Sequence, residues 1–316
     1  MTMSGVRVRL ATIALLLLSA ISASLAEDSY LSHEFGARAL GLGTAYVAVA
    51  DDCQAALWNP AGLAQVSRIG IAGSQNHLSF TDNVYGASLA AGLGKYGTAS
   101  MAVQHLLVAN AALTRPVLDA DGNPVLDPST NQPLVEITGF GQESDGTFLL
   151  GYGFAVSRWL LVGGAGKWLV GMAGKIAGQG LGADAGMLLR LPHGWRVGLA
   201  VDDLGQTTVR WRDGARTVLE PAGRFGVAWD LQPRWLLVAS VASALEKAEI
   251  IAAAGAEWKF AEFLAFRAGL DGGRVTGGVG FRMALGQTGS FASADYAFVT
   301  GGRYEDRNRL TLGVTF

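Results

Sequence analysis

RVTGGVGFRMAL, residues 274–285, decides the fold. Successive side chains of a strand point to opposite sides, so Val275, Val279, Phe281, Met283 and Leu285 share one face while Arg274, Thr276 and Arg282 share the other. One face is greasy and the other ionic. The same division recurs upstream. Asp184 and Arg190 oppose Leu181, Met187 and Leu189; Arg196 and Asp202 oppose Val197, Leu199 and Val201; Arg224 and Asp230 oppose Phe225, Val227 and Trp229. Glu249, Glu257 and Lys259 oppose Ile250, Trp258 and Phe260, and Arg267 with Asp271 opposes Leu264, Phe266 and Leu270. A lipid-facing Arg or Lys costs about 2 to 4 kcal/mol at mid-membrane, so charges of both signs gathered on one face read as a wet or plugged lumen behind a lipid-facing wall.

Composition agrees. Of 316 residues 50% are hydrophobic and only 16% charged, and the mean hydropathy is +0.30. The 44 glycines disfavour long helices and favour strands and tight turns. The charge-free stretch from Gly97 to Thr114 is interrupted by Gln104, His105 and Asn110, and no comparable run follows, so a bundle of spanning helices is not expected. Within lipid the remaining way to satisfy the backbone is a closed barrel.

The first 26 residues read as a secretory signal peptide: Arg7 and Arg9, an apolar run from Leu10 to Leu18, and Ser24-Leu25-Ala26 as the cleavage site. Their removal leaves 22 basic against 26 acidic residues, a net charge of −4, which gives no footing for nucleic acid. Cys53 is the single cysteine, too far from the cleavage site to be acylated, and reads as a small packed side chain.

Residues 67–316 divide into fourteen strands beginning near residues 68, 84, 97, 145, 159, 177, 196, 221, 235, 248, 264, 274, 290 and 307. Twelve or sixteen stay open, because the segments near 68, 97, 159 and 235 pattern weakly. Short connections at residues 94–97, 156–159, 191–196, 231–235, 260–264 and 286–290 would be periplasmic turns. The long ones, 111–144, 206–220 and 301–308, all fall at the other end, where barrels keep extracellular loops. Trp159, Trp195, Trp229, Trp235 and Trp258 sit near strand ends, as interfacial girdles require. Leu310, Leu312, Val314 and Phe316 form a terminal alternating apolar strand.

Residues 27–66 are too irregular for barrel strands. They carry Gly36 to Gly43, then Ala50-Asp51-Asp52, then Asn59-Pro60-Ala61-Gly62-Leu63. This stretch resembles the N-terminal hatch of the FadL family of outer-membrane transporters, most closely its PorV/PorQ branch. The likeness extends over residues 181–205, 223–283, 295–297 and 308–313, and departs at Thr44, where glycine is more usual, and in residues 111–144. The resemblance implies an all-β protein: an antiparallel transmembrane barrel of fourteen strands whose lumen is plugged by the N-terminal segment. It also implies passive passage of hydrophobic, fatty-acid-like or aromatic molecules, with Leu312, Val314 and Phe316 resembling the insertion signal read by the barrel-assembly machinery. The alternative it implies is a PorV-like component that holds or shuttles secreted proteins.

Other chemistry finds no footing. Gly41-x-Gly43 lacks the third glycine of a dinucleotide fingerprint, since Tyr46 stands there. Asp119-x-Asp121-x-Asn123 resembles a calcium loop, but Pro124 and Thr130 occupy the positions that need Gly and Glu, and an ordinary hairpin is the better reading. His33, His77, His105 and His193 are scattered, and neither a Gly-x-Ser-x-Gly elbow nor a zinc-spaced His-Glu pair occurs, so we expect no enzyme, no metal and no cofactor. Asp51 and Asp52 are candidates for ligand contacts, but capping of helices in this segment or pairing with inward Arg282 or Arg267 is the expected role. Arg224, Arg267 and Arg282 are candidates for a ligand carboxylate or for neutralising Asp184, Asp230 and Asp271.

Overall fold

The computed structural model describes residues 35–77, 82–119, 121–128, 133–244, 250–286, 289–301 and 307–316. The signal peptide, its cleavage site, residues 27–34, Thr130 and Glu249 lie outside the described residues. The first strands along the chain are β1 (Ile69–His77), β2 (Asp82–Gly92), β3 (Thr98–Pro116), β4 (Val135–Ala155), β5 (Leu160–Ala173), β6 (Ile176–Arg190), β7 (Trp195–Asp202), β8 (Thr207–Trp211) and β9 (Arg216–Leu219). They continue as β10 (Ala222–Gln232), β11 (Trp235–Ala244), β12 (Ile250–Ala261), β13 (Leu264–Asp271), β14 (Arg274–Leu285), β15 (Ser290–Val299) and β16 (Arg307–Thr315).

Fourteen of them form one antiparallel ring in chain order, closed where β16 pairs with β1, Gly73 opposite Leu312. Closure leaves the ring without a free edge, the condition for a sheet in lipid. The other two, β8 and β9, are a hairpin in the connection from β7 to β10; β8 meets the wall only at β6, pairing Gly178 with Trp211 and Gln179 with Arg210.

The alternation read from the sequence is the inside and outside of this wall. Leu181 is 77% exposed while Asp184 on the same strand is 7% exposed. Phe225, Phe266, Phe281, Met283 and Leu312 are exposed, whereas Arg224, Arg267, Asp271 and Arg309 are buried. Such an outward apolar belt on a closed ring makes this an outer-membrane barrel. At the end with short turns, Trp195 stacks on Trp229 with ring centres 4.8 Å apart and Trp235 on Trp258 at 5.7 Å, an aromatic girdle across neighbouring strands.

The expected loop 111–144 is corrected. β3 runs to Pro116 and β4 begins at Val135, so only residues 117–134 connect them. These strands hold 19 and 21 residues, about twice the ~9 to 11 a tilted spanning strand needs. Their far halves stand clear of the bilayer, where both faces are wet and the apolar alternation that marks a membrane strand is lost. Asp119 there accepts from the N–H groups of Asp121 and Asn123, an Asx turn in the hairpin.

Residues 35–66 lie inside the ring as short helical pieces: α1 (Ala37–Gly41) and the 3-10 turns Ala55–Leu57 and Pro60–Gln65. Their apolar side chains Leu42, Tyr46, Val49, Trp58 and Leu63 share one core with inward Ala90, Ala102, Leu149, Ala165, Ala228 and Leu236 of the wall.

Candidate functional site: the lumen and the segment inside it

Inward glycines let backbone meet backbone around the ring. A Cβ on Gly163 of β5 would stand 2.3 Å from the Pro60 carbonyl, and one on Gly186 of β6 would stand 1.9 Å from Asn59 Oδ1. Continuing round, Gly198 of β7 faces the Val47 carbonyl at 2.3 Å and Gly255 of β12 the Leu42 carbonyl at 2.4 Å. Gly278 of β14 faces Gly41, and Gly86 of β2 faces the Phe35 ring. A side chain at Gly163, Gly186, Gly198 or Gly255 would push residues 35–66 off the wall.

Asn59 and Pro60 fasten the segment on one side. The buried Asn59 amide donates to the Val47 carbonyl (2.8 Å) and to the Met187 carbonyl of β6 (3.2 Å). Its Oδ1 accepts from the Ala61 N–H (3.1 Å), capping the 3-10 turn in which Pro60, Ala61 and Gly62 are buried. Gly62 has no room for a Cβ, which would meet the Ala50 carbonyl at 2.0 Å.

On the opposite side the contacts are ionic. Arg38 of α1 reaches Asp51 Oδ1 (2.5 Å), the Tyr46 hydroxyl (3.1 Å) and Glu257 Oε2 of β12 (2.9 Å). Glu257 also receives Arg267 Nε of β13 (2.7 Å), and Arg267 Nη1 continues to Asp295 of β15 (2.6 Å). The Tyr46 hydroxyl donates toward Asp52 Oδ2 (2.8 Å). Asp51 thus pairs with Arg38, not with Arg282 or Arg267 as expected; Arg38 is nearer because α1 folds back onto the same turn of the segment. Burial raises the Asp52 carboxyl above its usual value, with the Asp51 charge adding to it. Asp51 is half-buried, and Arg38 overcomes that burial and holds it below the usual range.

The expected lumen charges all face inward, but with other partners. Arg224 pairs with Asp202 (2.6 Å), Asp184 with Lys167 (2.8 Å), Asp230 with Arg196 (3.1 Å) and Asp271 with Arg274 (3.1 Å). Arg282 lies over the Phe291 ring at 4.2 Å, exposed in the short-turn mouth. Of the three candidate cations it alone has no acidic partner among the described residues. The sequence showed which face each charge occupies; register decides who meets whom, and register is set by turns the alternation does not reveal.

Below the segment a polar cavity of about 400 Å³ opens toward the short turns, lined by Asp51, Asp52, Cys53 and Gln54 above and by Glu257, Arg267 and Arg282 of the wall. Burial pushes the Cys53 thiol up to about 12, and Ser88 donates to its sulfur at 3.4 Å. Neither the hub of Arg38, Tyr46 and Glu257 nor the pairing of Lys167 with Asp184 is marked by the alternation. Inward parity with Gly151, Gly153, Gly163, Gly186 and Gly198 was the signal available for the close contacts.

No known protein family and no curated protein matches the sequence. Solved structures do. The toluene transporter TodX of Pseudomonas putida superposes with a TM-score of 0.55 at 11% identity, over 89% of this chain and 97% of that one. The fold is that of the FadL-type barrels. A Pseudomonas aeruginosa FadL homologue gives 0.53 at 11% identity over 88% and 97% of the two chains. The CymD monoaromatic hydrocarbon channel gives 0.52 at 11% over 87% and 97%. At this identity the likeness is one of FadL-type architecture.

Proposed function

We propose that this FadL-type barrel passes small hydrophobic molecules across the outer membrane without an energy source, and that residues 35–66 are its hatch. The observation that carries the reading is a segment seated across the lumen against inward glycines around the ring, with a cavity beneath it. A ligand arriving from the long-loop end would pass only when the contacts around Asn59-Pro60 or Arg38 rearrange. Because Arg224 and Arg267 are each committed to acids, the lumen interior favours uncharged ligands over carboxylates, and TodX and CymD are named for toluene and monoaromatic hydrocarbons. Arg282 at the mouth is the candidate that a carboxylate would meet last.

Proteoliposomes carrying the protein are expected to equilibrate toluene faster than empty ones and to discriminate against a long-chain carboxylate. Equal rates with and without protein would remove the reading. Placement in the PorV/PorQ branch rests on the motif resemblance, and no observation favours the alternative of holding secreted proteins. We retain outward Leu312, Val314 and Phe316 as the insertion signal, tested by loss of assembly on deleting Phe316.

A further inference from the structure

Away from the lumen, one group of cations has no acid beside it among the described residues. Lys175 in the turn between β5 and β6, Arg210 and Arg212 at the end of β8, and Arg216 of β9 are all exposed. Arg210 and Arg216 are direct cross-strand partners, an arrangement of like charges that disfavours the hairpin. No acid lies within ion-pair distance of these four among the described residues. Asp213 at the hairpin tip accepts from the Ala215 N–H.

These cations border a cavity of about 540 Å³ whose lining includes Val103, Phe148, Val170, Met172, Gln179 and Arg210. Strand alternation places these side chains on the outward face, the one opposite Ala102, Leu149 and Leu169 of the core. The cavity is therefore a groove on the lipid side of the wall. Phe148 stacks on Trp168 with ring centres 5.5 Å apart, giving it an aromatic flank. His105 Nε2 and Ser144 Oγ, 2.7 Å apart, lie at its polar margin.

Its height matches a headgroup. Val170 is ten residues beyond Leu160, the short-turn end of β5. At ~3.3 Å per residue and a tilt of ~40°, that is a rise of about 25 Å, the height of the apolar band of such barrels. Apolar floor below and unpaired arginines above coincide with the outer boundary of the bilayer.

We propose that this groove binds the phosphorylated glycolipid of the outer leaflet, lipopolysaccharide, with Arg210 and Arg212 on its phosphates and an acyl chain along Phe148, Val170 and Met172. Guanidinium groups match phosphate in geometry as well as charge, and the repulsion between Arg210 and Arg216 is relieved by an anion. The proposal is independent of what the lumen carries.

Protein refolded in lipid-free detergent, titrated with bis-phosphorylated lipid A and followed by native mass spectrometry, tests it. The wild type is expected to bind lipid A at least tenfold more tightly than dephosphorylated lipid A or phosphatidylglycerol. Arg210→Gln with Arg212→Gln is expected to lose that tenfold preference, with heat-modifiable gel mobility certifying the barrel. Phe148→Ser with Met172→Ser is expected to weaken binding of lipid A whatever its phosphorylation. Equal wild-type affinity for the phosphorylated and dephosphorylated lipids, or for phosphatidylglycerol, overturns the proposal without any variant. So does unchanged binding in the folded arginine variant.

Discussion

The two sides of the ring both pack backbone on the inner segment, but only one adds charges to that packing. Against β4, β5 and β6 the contact is steric: the Pro60 backbone lies where side chains of Gly153 and Gly163 would be, and Asn59 bonds a wall carbonyl. Against β12, β13 and β15 similar backbone packing at Gly255 and Gly269 is joined by a chain of charges, from Asp51 through Arg38, Glu257 and Arg267 to Asp295. Packed backbone loses everything when separated by an ångström or two. Buried ion pairs recover part of their desolvation cost when water enters, and the 400 Å³ cavity supplies the water next to them. We infer that the ionic side releases first and the Asn59-Pro60 side acts as the pivot.

The largest effect is expected from Glu257→Gln, which leaves Arg38 and Arg267 short of their shared anion in a residue only 2% exposed. Loss of one partner of a buried pair costs about 3 to 5 kcal/mol. Because Cys53 lines the cavity beside these ion pairs and faces Gly70 of β1, its alkylation is expected to accelerate at least tenfold, while a cysteine at Ala64 in a Cys53→Ala background stays protected. Equal acceleration at both places would mean that the segment moves as one body. Gly163→Ala should do the reverse, exposing the Ala64 position first, with an overpacking cost of about 1 to 3 kcal/mol.

A smaller effect belongs to Asp52. Its carboxyl is raised by burial and then by Asp51, so the associated stability is complete below the ordinary value of ~3.9. It is lost as pH rises through the raised value. Urea midpoints of the wild type should fall relative to those of Asp52→Asn as pH rises above ~4; a difference that stays constant with pH would refute the assignment. Thr44→Gly is expected to matter least. Thr44 is held at φ +63°, where a β-branched residue is strained, and its hydroxyl donates to Asp271 at 3.0 Å. Relief of strain and loss of the bond each amount to about 1 kcal/mol, so the unfolding midpoint should barely move.

The wall was legible because lipid imposes a strict rule on every second residue. Arg274, Thr276 and Arg282 could be set inside and Val275, Phe281 and Met283 outside, and thirteen of the fourteen expected starts stand within two residues of those found. The exception, β4, begins at Val135 in place of 145 since its outer half obeys no such rule. Partner choice was hidden for another reason. Alternation tells that Glu257 faces inward, but Arg38 meets it only because α1 crosses the lumen to β14 and β15. Resemblance supplied the inner segment; its seat was written in glycines such as Gly163 and Gly198, whose inward parity looked like turn or strand filler.

The hatch is most directly tested by tying it shut. Gly70→Cys places a Cβ 3.2 Å from that of Cys53, near the ~3.5 to 4.5 Å of a disulfide. Toluene flux through proteoliposomes of this variant should vanish when oxidised and return on reduction. Flux that is the same in both redox states would contradict the account.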